Sequence, residues 1–187
     1  MSRLFPHPPY AEDQPLSRTV LATHVLTRGA TSGAIVGLAI AAGRESLRRF
    51  RSTPLPASSP GLATQFLRGA GVGTVWGTGF LALGLAGRMW GRQEIEWQDR
   101  SWRLLENEGQ LETDDWTYGG ALAGLAGVVL AARAGGLGGI KALTWRGVLG
   151  GAGAGSAAGT FGYLGWRYGV KQGKFPKKET SAQARAA

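Results

Sequence analysis

Uncharged, weakly apolar stretches alternate with charged ones along this chain. Four windows hold no acidic, basic or histidine side chain: 29–43, 69–87, 116–132 and 147–166, of 15, 19, 17 and 20 residues. As helices rising about 1.5 Å per residue they would reach roughly 22, 28, 26 and 30 Å, against about 30 Å of bilayer hydrocarbon. The second and fourth are long enough alone. The third becomes so by running on through Arg133, whose aliphatic stem can snorkel. The first becomes so by starting near Thr19 and taking in His24 and Arg28. An arginine costs on the order of 3 kcal/mol at mid-membrane and less toward an end, which places Arg28 near the interface or under the shelter of protein. A water-soluble helix needs a polar face, and uncharged runs of this length leave none. The pattern predicts an all-α membrane protein with four spans, about 19–43, 69–87, 116–133 and 147–166.

The charged stretches order those spans. Residues 44–68 read as a basic turn, Arg44 to Arg51, followed by the breaker run Pro54-Leu55-Pro56-Ala57-Ser58-Ser59-Pro60-Gly61, so windows one and two form a hairpin. The link 133–146 contains Gly135-Gly136-Leu137-Gly138-Gly139 and joins windows three and four into a second hairpin. The connector 88–115 differs from both. Trp90, Trp97 and Leu104 are seven apart, as are Ile95 and Trp102. Glu96–Arg100 and Asp99–Arg103 are i, i+4 pairs with the acid first. This predicts an amphipathic helix from about Met89 to Asn107, stopped at Gly109. Its three tryptophans suit a membrane–water interface, a partner surface or the protein's own bundle. Thr113-Asp114-Asp115 would cap the third span, with Trp116 and Tyr118 at its interface. A Pro-rich extension, 1–18, precedes this 19–166 membrane domain, and a basic, solvated tail, 167–187, follows it.

Composition changes the picture through glycine, which is 32 of 187 residues and lies among Ala, Leu and Val. Arg28-Gly29 is followed by Gly33 and Gly37. Arg68-Gly69 is followed by Gly73 and Gly77. Arg146-Gly147 is followed by Gly151, Gly155 and Gly159, and Gly120 and Gly124 add a shorter row. Four-residue steps put each row on one helical face. Lipid supplies no hydrophobic force between helices, so close backbone approach along such rows does the work of association. The rows read as separate docking grooves, each headed by an arginine (Arg28, Arg68, Arg146) at headgroup level. An arginine at a helix N-terminus is disfavoured by the dipole, so a lipid phosphate, a phospholipid such as cardiolipin or a partner carboxylate is expected to answer it. Trp90, Trp97, Trp102 and Trp116 are the matching aromatic anchors.

The formal net charge is +9, spread as +1 over 1–28, +4 over 44–68, −4 over 88–115, +3 over 133–146 and +5 over 167–187. Basic residues in the gaps between apolar segments behave as membrane anchors, whereas a nucleic-acid binder gathers them on one folded face. No cysteine is present, which excludes disulfides, iron–sulfur clusters and thiolate chemistry. His7 and His24 stand apart from any acidic cluster, so no metal site is expected. Gly153-Ala154-Gly155-Ser156-Ala157-Ala158 matches a dinucleotide fingerprint by letter but lacks its strand and its acidic residue. With no ionisable group inside the four windows, neither proton relay nor intramembrane catalysis is expected. Thr31, Ser32, Thr74, Thr78, Ser156 and Thr160 are expected to bond back to their own helices. The opening Phe5-Pro6-His7-Pro8-Pro9-Tyr10, with Glu12 and Asp13, is unlike a secretory signal or a mitochondrial presequence.

Four short Gly-rich spans in two hairpins, with basic links and no cysteine, resemble the Tim17/Tim22/Tim23 family of the mitochondrial inner membrane. The resemblance covers about 29–166 and rests on Arg28-Gly29-x3-Gly33-x3-Gly37 and its echoes. The acidic residue that translocase members carry after the conserved arginine is missing. The His7-Pro8-Pro9-Tyr10 opening, Leu16-Ser17-Arg18-Thr19, Thr23 to Gly29 and the Trp-rich acidic connector are similar to small fungal accessory subunits of respiratory complex I. That resemblance implies a multi-pass, non-enzymatic protein of the mitochondrial inner membrane. Its partners would be other integral membrane subunits and lipids, and it would have no cofactor of its own. Two other readings follow from the rows: a preprotein translocase component, or a membrane-shaping protein self-associating through Gly147–Gly159.

Overall fold

The computed structural model describes residues 2–54 and 59–175. Five α-helices carry the fold: α1 Ser17–Phe50, α2 Leu62–Met89, α3 Glu94–Glu106, α4 Glu108–Arg133 and α5 Trp145–Leu164. A π-helical turn, Gly165–Val170, continues α5. Short 3-10 turns occupy Ser2–Leu4, Ala11–Asp13, Gly136–Gly138 and Ile140–Ala142, and no strand occurs among the described residues. Two of these helices, α1 and α2, are long and apolar enough to cross a membrane. In α4 and α5 the glycines, with Trp116 and Tyr118 inside α4 and Arg133 at its C-terminal end, dilute the apolar character that length alone would give.

Several boundaries depart from the pattern-based expectation. The basic stretch after residue 43 is helical through Phe50, so α1 has 34 residues and is about 51 Å long. Glu45 makes this possible by accepting from Arg48 and Arg49, three and four residues on. These two guanidinium groups hold its carboxyl at about 2, well below the usual carboxylate range. The amphipathic helix starts at Glu94 rather than Met89, because Gly91 takes a left-handed conformation (φ 67°). Gly109 stops nothing. Asn107 ends α3 and caps α4, its side chain accepting from the Gln110 backbone N–H. Thr113, Asp114 and Asp115 therefore lie inside a helix rather than at its cap. Of the expected α3 pairs, Asp99–Arg103 forms at 2.9 Å, while Glu96 is reached by Arg92.

The helices form two antiparallel hairpins, α1 with α2 and α4 with α5, and α5 packs between α4 and the first hairpin. Side by side the order is α4, α5, then α1 and α2 together. The link between α4 and α5 turns on Gly135, Gly138 and Gly139, all at φ of 82–83°, where a Cβ would be strained. At the start of the expected solvated tail one residue is held by the bundle, while 168–172 and 174–175 are exposed. Arg167 is buried, pairs with Glu112 of α4, and lies over the ring of Phe175. The rest of that basic tail, 176–187, and residues 55–58 of the breaker run lie outside the described residues.

The bundle is small inside and large outside. Its buried residues are mainly Gly, Ala, Ser and Thr, among them Gly29, Gly33, Ala34, Gly37, Ala70, Gly71, Gly150, Gly151, Ser156 and Ala157. Trp76, Phe80 and Leu83 of α2 are 75–76% exposed, and Val36, Ile40, Leu122, Leu130 and Phe161 also point outward.

Candidate functional site

The glycine rows meet each other. Because α1 and α2 are antiparallel, Gly29 lies against Gly77, Gly33 against Gly73 and Gly37 against Gly69. A Cβ built on Gly33 would fall on the Gly73 carbonyl, and one on Gly73 would fall on that of Gly33. The second seam pairs Gly120 with Gly155 and Gly159, and Gly124 with Gly151 and Gly155. Gly147 joins neither seam, and its nearest neighbour is the Leu143 side chain. The rows are thus not separate docking grooves for outside helices. They are complementary halves of two intramolecular seams, and their backbones are already in contact.

A third contact had no counterpart in the pattern of four-residue rows. Gly150 abuts the Leu67 carbonyl, Gly71 abuts that of Arg146, and Gly153 abuts Thr74 and Ala34. Helix α5 therefore carries glycine on two faces: Gly151, Gly155 and Gly159 toward α4, and Gly150 and Gly153 toward α2 and α1. The adjacent pair Gly150-Gly151, which no single-face row accommodates, is the sequence signal for this. Five of the six expected hydroxyls bond back to their own helices: Thr31, Thr74, Thr78, Ser156 and Thr160 each donate to a carbonyl three or four residues earlier, whereas Ser32 is exposed without such a bond. Thr160 also meets Thr117 across the second seam at 2.9 Å.

A polar cluster binds α1 to α4 where they lack a glycine seam. Asp114 is 1% exposed and receives Arg28 at 2.5 Å, with His24 at 3.4 Å. Gln110 also accepts from Arg28, and the Thr27 hydroxyl pairs with Tyr118 at 2.9 Å. Arg28 is consequently not a lipid or partner anchor, because its carboxylate is supplied 86 residues further along the same chain. Nor is it at a helix N-terminus. Eleven residues of α1 precede it and six of α2 precede Arg68, so the dipole argument applies to Arg146 alone.

The N-terminal extension is folded onto this same end. Arg3 pairs with Asp115, and His7 meets Glu106 at 2.8 Å and lies beside the Trp102 ring. The Trp102 indole N–H donates to the Pro8 carbonyl, and Gln98 donates to that of Glu12. Ser17 and Arg18 hold Glu94, whose carboxyl is lowered first by the Ser17 hydroxyl and then by Arg18. Arg18 also lies 5.6 Å over Trp97. Trp97 and Trp102 are therefore engaged by the chain itself rather than offered to lipid. Trp90 is exposed, and Trp116 is partly covered by Gly162 and Tyr163. Trp102→Phe should cost about 1 kcal/mol, the net worth of one hydrogen bond. Limited proteolysis should then cut residues 3–16 faster while the helices keep their protection.

Among the described residues no group of three or more His, Asp or Glu side chains is placed to hold a metal ion. No family model matches the chain, and neither a curated protein nor a solved structure is significantly similar to it.

Proposed function

We propose that the chain is a structural, non-enzymatic subunit embedded in a membrane through four helices, α1, α2, α4 and α5. The observation that carries this is the inverted distribution of size: glycine, alanine and hydroxyl residues inside, Trp76, Phe80, Leu83, Leu122 and Leu130 outside. In water that arrangement forgoes the hydrophobic burial that holds a soluble domain together. In lipid the outward side chains are solvated by acyl chains, and backbone contact along glycine seams holds the bundle. Apolar side chains left outward on several faces suit a protein held among other integral membrane subunits.

The specific setting proposed is an accessory subunit of mitochondrial complex I in the inner membrane, supporting assembly or stability of its membrane arm. The basis is the resemblance of residues 7–10, 16–19 and 23–29 and of the Trp-rich connector. The engagement of Gly151, Gly155 and Gly159 by α4 disfavours self-association through that row.

The test is alkaline carbonate extraction of mitochondria, followed by native electrophoresis in mild detergent with the chain detected by antibody. Retention in the pellet and co-migration with complex I are expected. Release by carbonate would overturn membrane insertion. Retention with migration in a translocase or as a homo-oligomer would overturn the complex I assignment.

A further inference from the structure

An apolar groove of about 930 Å³ runs along the outside of the α1–α2 hairpin. The glycine seam is its floor, and Val36, Ile40, Trp76 and Phe80 are its walls. One end is different in kind. Arg44 of α1, Arg68 of α2 and Arg146 of α5 line it together with Gln65. The antiparallel seam brings them there: Gly37 faces Gly69, and Gly71 abuts the Arg146 carbonyl. Among the described residues no carboxylate is paired with these three arginines, although Glu45 neutralises the neighbouring Arg48 and Arg49. Arg146 has only the face of Trp145, 5.4 Å away. Among the described residues no acidic side chain lines the groove.

We propose that this groove is a binding site for one anionic glycerophospholipid. Its phosphate sits among Arg44, Arg68 and Arg146, and its acyl chains lie along the seam past Trp76 to Phe80. The occupant must be anionic at one end and apolar along its length. Arginine matches phosphate through a planar fork of donors. From Arg68 to Leu81 the groove runs about 20 Å at the helical rise, enough for the acyl region of one leaflet, which is about 15 Å deep. A basic pocket between transmembrane helices at this depth is the setting in which anionic headgroups are recognised. A helical partner would need its own carboxylates at the arginine end and would have to follow a wall interrupted by two aromatic rings.

The proposal rests on the membrane reading but not on the complex I assignment, since it concerns the full chain alone. The purified protein in a neutral detergent is titrated with palmitoyl-oleoyl phosphatidylglycerol and, separately, with the phosphatidylcholine of the same chains, and bound lipid is counted by native mass spectrometry. The wild type should retain one phosphatidylglycerol at least about ten-fold more strongly than phosphatidylcholine. The triple variant Arg44→Gln, Arg68→Gln, Arg146→Gln should lose that preference and keep its helicity. Val36→Trp, which fills the groove from its exposed wall, should lower binding of both lipids. Ile40→Trp serves the same purpose if Val36→Trp fails to fold. Equal retention of the two lipids by the wild type would overturn the proposal. So would an unchanged preference in the triple variant, or full lipid binding with the groove filled. Capture of an acidic helix from a partner subunit at Arg68, mapped by crosslinking, would overturn it in favour of protein docking. Complete release by carbonate would remove the membrane reading beneath it.

Discussion

Gly33→Ala separates α1 from α2, whereas Gly79→Ala leaves the bundle intact. The first substitution adds one methyl group where the neighbours are the Gly73 carbonyl and the Gly77 Cα, both backbone atoms of a helix that cannot rotate away. Overpacking a well-fitted interior costs typically 1–3 kcal/mol, and a clash against backbone belongs at the top of that range, so a loss of about 3 kcal/mol is expected. Gly79 has nothing within 4 Å of an added Cβ. There the change only improves helix propensity, by at most about 1 kcal/mol. Equilibrium unfolding in detergent, followed by circular dichroism, measures both. Because the chain has no cysteine, an introduced pair at positions 36 and 72 reports separately on whether the seam has opened. Equal stability of the two alanine variants would show that the seam is not held by backbone contact.

Asp114→Ala is the second large effect. It leaves Arg28 and His24 facing each other in a partly buried site with no carboxylate between them. Removing one member of a buried pair costs about 3–5 kcal/mol, mostly because the remaining charge is uncompensated. The double variant Arg28→Met, Asp114→Leu should recover most of that loss, since apolar groups of similar size can replace a buried pair at little cost. A double-mutant cycle on the same unfolding assay gives the coupling, expected to exceed about 1 kcal/mol for groups in direct contact. Additive losses would mean that the pair does not hold α1 to α4.

The helices were legible because uncharged length is a one-dimensional signal, and so were the glycine rows, whose four-residue step fixes a face. What the rows face was not. Gly33 and Gly73 carry no mark that they belong to each other, and a groove awaiting an outside helix has the same spelling as one already filled. The polar cluster was hidden for a related reason. Beside Thr113 and Asp115, Asp114 has the spelling of a cap, since Asp is a good N-cap. Asn107 holds the cap instead, and Asp114 is aimed inward by its turn of α4. The tryptophans of the connector have the spacing of an interfacial stripe, but His7 and Pro8 meet Trp102, and no local pattern announces that a Pro-rich segment will pack against residues some 94 positions along the chain. Arg167 looks like the first of the tail's basic residues, and nothing in the sequence marks Glu112, 55 residues earlier, as its partner.

The two-faced glycine surface of α5 also sets an order of assembly. A helix with so many glycines is weak on its own, and neither of its faces is complete until both α4 and the α1–α2 hairpin are present. It is the last of the five to leave the ribosome, and it closes α4 and the first hairpin into one body. Until then, Gly71 on one side and Gly120 and Gly124 on the other are open strips of backbone. A variant truncated after Arg133 would leave both strips uncovered at once, so α4 and the α1–α2 hairpin would lose their common partner together.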